Sequence, residues 1–98
     1  MHFLIHAYDS KDASAAQRRA ETRDAHLEII RKYREQGNML MGAAMLDDNE
    51  QMIGSVIVAD FPDRAALDVW LSEEPYLQNK VWGEVKVSRC LVGPSFLK

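Results

Sequence analysis

The stretch Met52-Ile53-Gly54-Ser55-Val56-Ile57-Val58-Ala59-Asp60 (residues 52–60) decides the fold. It is rich in β-branched residues with hardly a polar interruption, the pattern of a central strand covered on both faces. A central strand needs neighbours, and the flanking sequence supplies them. Just upstream, Asp47-Asp48-Asn49-Glu50 is a polar turn, and Met39 to Met45 reads as the strand before it, so the two form a hairpin. Downstream, Phe61-Pro62-Asp63 opens a helix over residues 63–72 with Ala66, Leu67, Trp70 and Leu71 as its apolar stripe. Glu73-Glu74-Pro75 ends that helix, because the residue before a proline is pushed out of the α region. Pro75 then starts a short helical turn reaching Lys80.

Further out, residues 2–8 alternate as a strand, with Phe3, Ile5 and Ala7 on one side and His2, Leu4, His6 and Tyr8 on the other. Asp9-Ser10-Lys11-Asp12 is a turn with helix-capping residues. Residues 14–36 hold no Gly or Pro and are rich in Ala, Arg, Glu, Gln and Leu, which predicts a long helix stopped by Gly37-Asn38. Residues 84–92 alternate again as a last strand, and Gly93-Pro94 releases a short tail, Ser95 to Lys98. The order β-α-β-β-α-β predicts one α+β domain over residues 1–98, of ferredoxin-like type. Its four strands form an antiparallel sheet with both helices on one face. The other sheet face holds too many Leu, Val and Met side chains to be left in water, which predicts a homodimer joined through it.

The chain has 98 residues, 47% apolar and 28% charged, which suits a globular protein with one hydrophobic core. Its 12 Lys+Arg against 15 Asp+Glu supply no basic stripe, so a nucleic-acid partner is not expected. No apolar run approaches the roughly 20 residues that span a bilayer, and the opening His2 to His6 is too short and polar for a signal segment. A single cysteine, Cys90, fits a reducing cytoplasm. No Gly-rich phosphate loop or dinucleotide fingerprint occurs, so no cofactor is implied. His2, His6 and His26 show no ligand spacing, so no metal site is expected; His2 and His6 stand roughly 13 Å apart along an extended strand.

At 100° per residue, Thr22, Ile29, Ile30, Tyr33, Arg19 and Arg23 fall within about 60° of His26 on the long helix. His26 therefore points inward or into a cleft. A histidine titrates near neutral pH and serves as acid or base, and a carboxylate on one ring nitrogen would fix its tautomer. The alternative is an interior histidine that satisfies a carbonyl. Arg23, one turn away, would hold an oxygen anion or pair with Glu74 or Asp60. Arg19, near the helix start, reads as a side chain that snorkels to water.

Five stretches then resemble the YciI-like (YCII-related) family: Ala7-Tyr8-Asp9, Arg23-Asp24-Ala25-His26-Leu27, Gly54 to Phe61, Glu74-Pro75-Tyr76, and the closing strand from Glu84 to Pro94-Ser95-Phe96. The resemblance covers almost the whole chain in order, and implies the dimeric α+β barrel form of the ferredoxin-like fold. It also implies a site built on His26 and an acidic residue, with the family's Asp-Pro-Tyr signature falling on Glu74, Pro75 and Tyr76. Two departures stand out. Glu74 replaces the usual aspartate, one methylene or about 1.5 Å longer, and Gly42-Ala43 stands where Gly-Pro often follows. On this basis His26 and Glu74 are the expected catalytic pair, with Arg23, Tyr76, Ser55 and Asp60 as substrate contacts. Each has a plainer reading beside it. Glu74 would cap the turn after it, Asp60 would cap the second helix with Asp63, and Tyr76 would be core or pocket wall. Ser55 lacks the flanks of a nucleophile elbow.

Two functions follow. One is a cofactor-independent enzyme of lyase or isomerase type that moves a proton on a small organic molecule. Related sequences have been linked to dehydrochlorination, though a fold does not fix a reaction. The other is a small-molecule binding or accessory module with no turnover.

Overall fold

The computed structural model describes residues 1–97 and runs β1 (His2–Asp9), α1 (Ala15–Glu35), β2 (Met39–Leu46), β3 (Met52–Asp60), α2 (Arg64–Glu73), α3 (Pro75–Gln78) and β4 (Trp82–Cys90). A 3₁₀ turn, Pro94–Phe96, lies in the tail. The strands form one sheet in the order β2-β3-β1-β4, and every neighbouring pair is antiparallel. This is the ferredoxin-like α+β arrangement that the element order predicts. The β3 stretch is indeed central, paired to β1 from His2↔Asp60 to Tyr8↔Gly54.

Register carries the alternation of β1 across the sheet. Phe3, Ile5 and Ala7 stand opposite Ala59, Ile57 and Ser55, and this face is buried under the helices. Tyr33 of α1, Leu67 and Trp70 of α2, and Phe61, Tyr76, Val81 and Trp82 complete the core. Burying side chains such as Leu67 and Trp70 stabilises by roughly 1.5–3 kcal/mol each. On the opposite face, Leu4, His6, Val56 and Val58 are only half-buried and Tyr8 is exposed. The expectation that β3 is covered on both faces therefore holds for one face within the single chain.

Helix ends follow local chemistry. Asp63 caps α2 through a side-chain oxygen that accepts from the Ala66 backbone N–H at 2.9 Å. Gly37 ends α1 at φ 87°, and the Gly37 and Asn38 amides bond back to Arg34 and Tyr33 carbonyls. The last strand begins earlier than its alternation suggests, at Trp82, and ends at Cys90 rather than residue 92. Among the described residues, no helix is long and apolar enough to cross a membrane.

Candidate active site

His26 sits midway along α1, and Glu74 between α2 and α3. Proline at the following position holds Glu74 extended, at φ −73° and ψ 116°. From there its side chain turns back under α1. Glu74 Oε1 lies 2.5 Å from His26 Nδ1 and also accepts from the Tyr76 backbone N–H at 3.2 Å. The capping and the histidine-pairing readings of Glu74 thus both hold in one geometry, and the longer side chain still closes the contact. Glu74 is completely buried, and its Oε2 has no partner among the described residues. A carboxylate so placed is short of hydrogen bonds, so its pairing to His26 is the main compensation for its burial.

The imidazole is fixed on its other sides by aromatic rings. Tyr76 lies flat against it, with ring centroids 3.9 Å apart and planes 8° from parallel. Trp82 meets it edge-on at 6.1 Å. With Nδ1 taken by Glu74, Nε2 is the nitrogen left for a ligand. His26 and Tyr76 both line a cleft of about 510 Å³ between α1 and the β2 side of the sheet, a size within the range of small-molecule sites. Its apolar wall includes Leu27, Ile30, Met39 and Ile57.

Beneath the cleft lies a buried polar hub that the sequence reading assigned wrongly. Arg19 does not snorkel: it is 7% exposed and lies in the core side of α1. Its guanidinium donates to both oxygens of Asp9, at 2.7 and 3.3 Å. It also donates to the Gly54 carbonyl and to Ser55 Oγ, each at 2.9 Å, and approaches the Tyr76 hydroxyl at 3.4 Å. Its charge stands 4.8 Å from the Tyr76 ring centre, a cation–π distance. At Gly54, whose carbonyl joins the hub, a side chain would collide with the Ala7 carbonyl and the end of Met45. Asp9 and Trp82 are site residues that the sequence reading missed. The available signal was a charged residue on a buried helical stripe, which demands a carboxylate within reach.

Burial raises the Tyr76 phenol, and the positive charges of Arg19 and Arg23 oppose that rise. The hydroxyl therefore keeps its proton near neutrality and is free to donate it. Ser55 lines the cleft, but its oxygen accepts from both Arg19 and Trp82 Nε1, the latter at 3.2 Å. No hydrogen bond links it to a base among the described residues, so it is held as a wall and not as a nucleophile. Arg23 is exposed on the cleft rim and forms no pair with Glu74 or Asp60. Asp60 does not join the site. It ends β3 at the other end of the strand from Gly54, where it meets the N-terminal ammonium at 3.3 Å and His2 at 3.9 Å, and it does not cap α2. Among the described residues, no three His, Cys, Asp or Glu side chains gather to hold a metal ion.

The fold and this arrangement define an α+β domain whose solved structural relatives share the dimeric α+β barrel fold. The pattern of the YCII-related domain matches residues 1–90, and the chain belongs to that family. Protein YciI of Escherichia coli is 28% identical over 93 residues, covering 89% of this chain and 93% of its own length. A 5-chloro-2-hydroxyhydroquinone dehydrochlorinase from Burkholderia phenoliruptrix, solved with 2,5-dihydroxybenzoquinone, superposes with TM-score 0.81 at 21% identity, over 97% of this chain and 98% of that one. An antibiotic biosynthesis monooxygenase is more distant, with TM-score 0.54 at 22% identity, over 96% of this chain and all of that one.

Proposed function

We propose that the protein is a cofactor-independent enzyme of lyase or isomerase type, with His26 and Glu74 moving a proton on a small organic substrate. The observation that carries this reading is the 2.5 Å contact between His26 Nδ1 and a fully buried carboxylate at the wall of an open cleft. Glu74 holds the Nδ1–H tautomer, so Nε2 presents a lone pair. A C–H bond next to a carbonyl loses its proton to Nε2, and its electron pair moves toward the carbonyl oxygen. Glu74 stabilises the imidazolium that forms, and Arg23 offsets the charge on the oxygen. Return of the proton to another carbon gives an isomer; departure of a leaving group from the neighbouring carbon gives elimination. Tyr76 and Ser55 shape the cleft wall. The dehydrochlorination named for the structural relative is chemistry of this second kind. Two copies pack through the half-buried face of Leu4, Val56 and Val58, in keeping with the barrel relatives.

The test is turnover of chlorinated hydroxyhydroquinones and of enolisable small carbonyl acids, the latter followed by solvent deuterium uptake. His26→Ala is expected to lose about 10²–10⁴-fold in rate, while both proteins sediment at twice the chain mass of 11.2 kDa. Equal turnover by His26→Ala would overturn the assignment. Ligand binding in the cleft with no turnover by the wild type would favour the binding module.

A further inference from the structure

The cleft carries more positive charge than proton transfer uses. Helix α1 holds five arginines, and their partners divide them cleanly. Arg18 and Arg31, which do not line the cleft, are paired with Asp12, and with Glu28 and Glu35. Arg19 is paired with Asp9. Arg23 and Arg34 both line the cleft, and neither has an ion-pair partner among the described residues. Among the described residues no carboxylate lines that wall, although the chain as a whole carries net charge −3. An acid-free wall in an acidic protein leaves its positive charge for a ligand to neutralise.

The two free guanidinium groups sit at opposite ends of the cleft. Eleven residues separate them, three helical turns or about 16 Å along α1. Arg23 is one turn from His26. Arg34 is in the last turn, where a cation favours the helix dipole, but Lys32 in the same turn already meets that need from outside the cleft. Between the arginines the helix presents Leu27 and Ile30 to the cleft, facing Met39 and Ile57 of the sheet. Building on the proton-transfer reading for the His26 end, we infer that the cleft receives an elongated organic dianion. One oxyanion lies at Arg23 beside His26, an apolar body lies over Leu27 and Ile30, and a second oxyanion lies at Arg34.

The inference is tested by binding, so it stands or falls apart from turnover. Straight-chain α,ω-dicarboxylates of four to ten carbons are titrated by calorimetry against monocarboxylates and diols of equal length. The best dicarboxylate is expected to bind about tenfold or more tighter than its monocarboxylate, and the diol weakest. Arg34→Met should erase the dicarboxylate's advantage and leave monocarboxylate binding unchanged, and Arg34→Lys should recover part of it. Arg23→Met should weaken both acids. Tight dicarboxylate binding by a wild type that turns none of these acids over would support the two-ended site while counting against the proton-transfer reading. Equal binding of mono- and dicarboxylates, an unchanged advantage in Arg34→Met, or no binding by any dicarboxylate would each overturn the two-ended site.

Discussion

Among the described residues two histidines pair with carboxylates, and the two acids sit in very different surroundings. His2 and Asp60 stand 3.9 Å apart where β1 and β3 meet, with the Asp60 side chain 46% exposed. Asp60 also serves the N-terminal ammonium, and His2 Nδ1 accepts from the Val92 amide. Water competes for every one of these contacts, so none has to form. His26 and Glu74 are 2.5 Å apart, and the Glu74 side chain is completely inaccessible. There the carboxylate has no water to fall back on. Each pair joins a histidine to a carboxylate, and what sets the second apart is the buried acid and the short contact that holds its imidazole at a cleft wall.

Removing the acid from each pair is the sharpest way to break this comparison. Glu74→Ala strips His26 Nδ1 and the Tyr76 amide of their common acceptor inside the protein. It should destabilise by about 3 kcal/mol, read as a lower denaturant midpoint. Asp60→Ala should shift the same midpoint by no more than about 0.5 kcal/mol. Glu74→Gln keeps an acceptor oxygen for both groups and should recover most of the stability while activity stays low. Equal effects of the two alanine substitutions would show that the buried pair is no more constrained than the exposed one.

A second buried pair extends the test below the cleft. Arg19 and Asp9 are each 9% exposed at the side chain and 2.7 Å apart. Arg19→Ala leaves Asp9 buried without its cation, at a cost of about 3 kcal/mol. Arg19→Lys should recover only part of this, because one ammonium cannot reach Asp9, the Gly54 carbonyl and Ser55 together. Full recovery by lysine would mean that charge alone holds the hub.

These same pairs show what can be read from sequence. The fold was legible from patterns along the chain: alternation in β1 marks its buried face, the nearly unbroken apolar run of β3 marks the central strand, and Gly37 marks the end of α1. His26 was legible from helical phase, and Glu74 as its partner only through the resemblance to the family's Asp-Pro-Tyr signature. Arg19 was not, because a long side chain near a helix start can reach water or core with equal ease. What decides is Asp9, across a turn, together with Gly54 and Tyr76, both far along the chain. The start of β4 at Trp82 lies outside the alternation that begins at Glu84, with Gly83 between them. Gly83 sits beside the register shift at Asp9↔Trp82, where a side chain would meet the Ser10 backbone at 3.1 Å. Long-range contacts of this kind leave no local pattern.

Tyr33 and Glu73 form a pair of intermediate burial and should give an effect between those of the buried and the exposed pairs. The Tyr33 ring is in the core, and its hydroxyl donates to Glu73 Oε1 at 2.8 Å, while the Glu73 side chain is 38% exposed and also meets Lys32. Burial, helped by the hydrogen bond to Glu73 and its negative charge, pushes the phenol up to about 12 from an ordinary 10.0. Between those values the folded protein keeps a proton that the unfolded chain has lost. The associated stability is therefore fully present below pH 10 and falls away as pH rises toward 12. Tyr33→Phe should cost about 1 kcal/mol at neutral pH through the lost hydrogen bond. It should also flatten the alkaline limb of stability against pH, measured by denaturant midpoints from pH 8 upward. An alkaline limb unchanged by the substitution would assign that limb to another tyrosine, with Tyr76 the next to replace because burial raises its phenol as well.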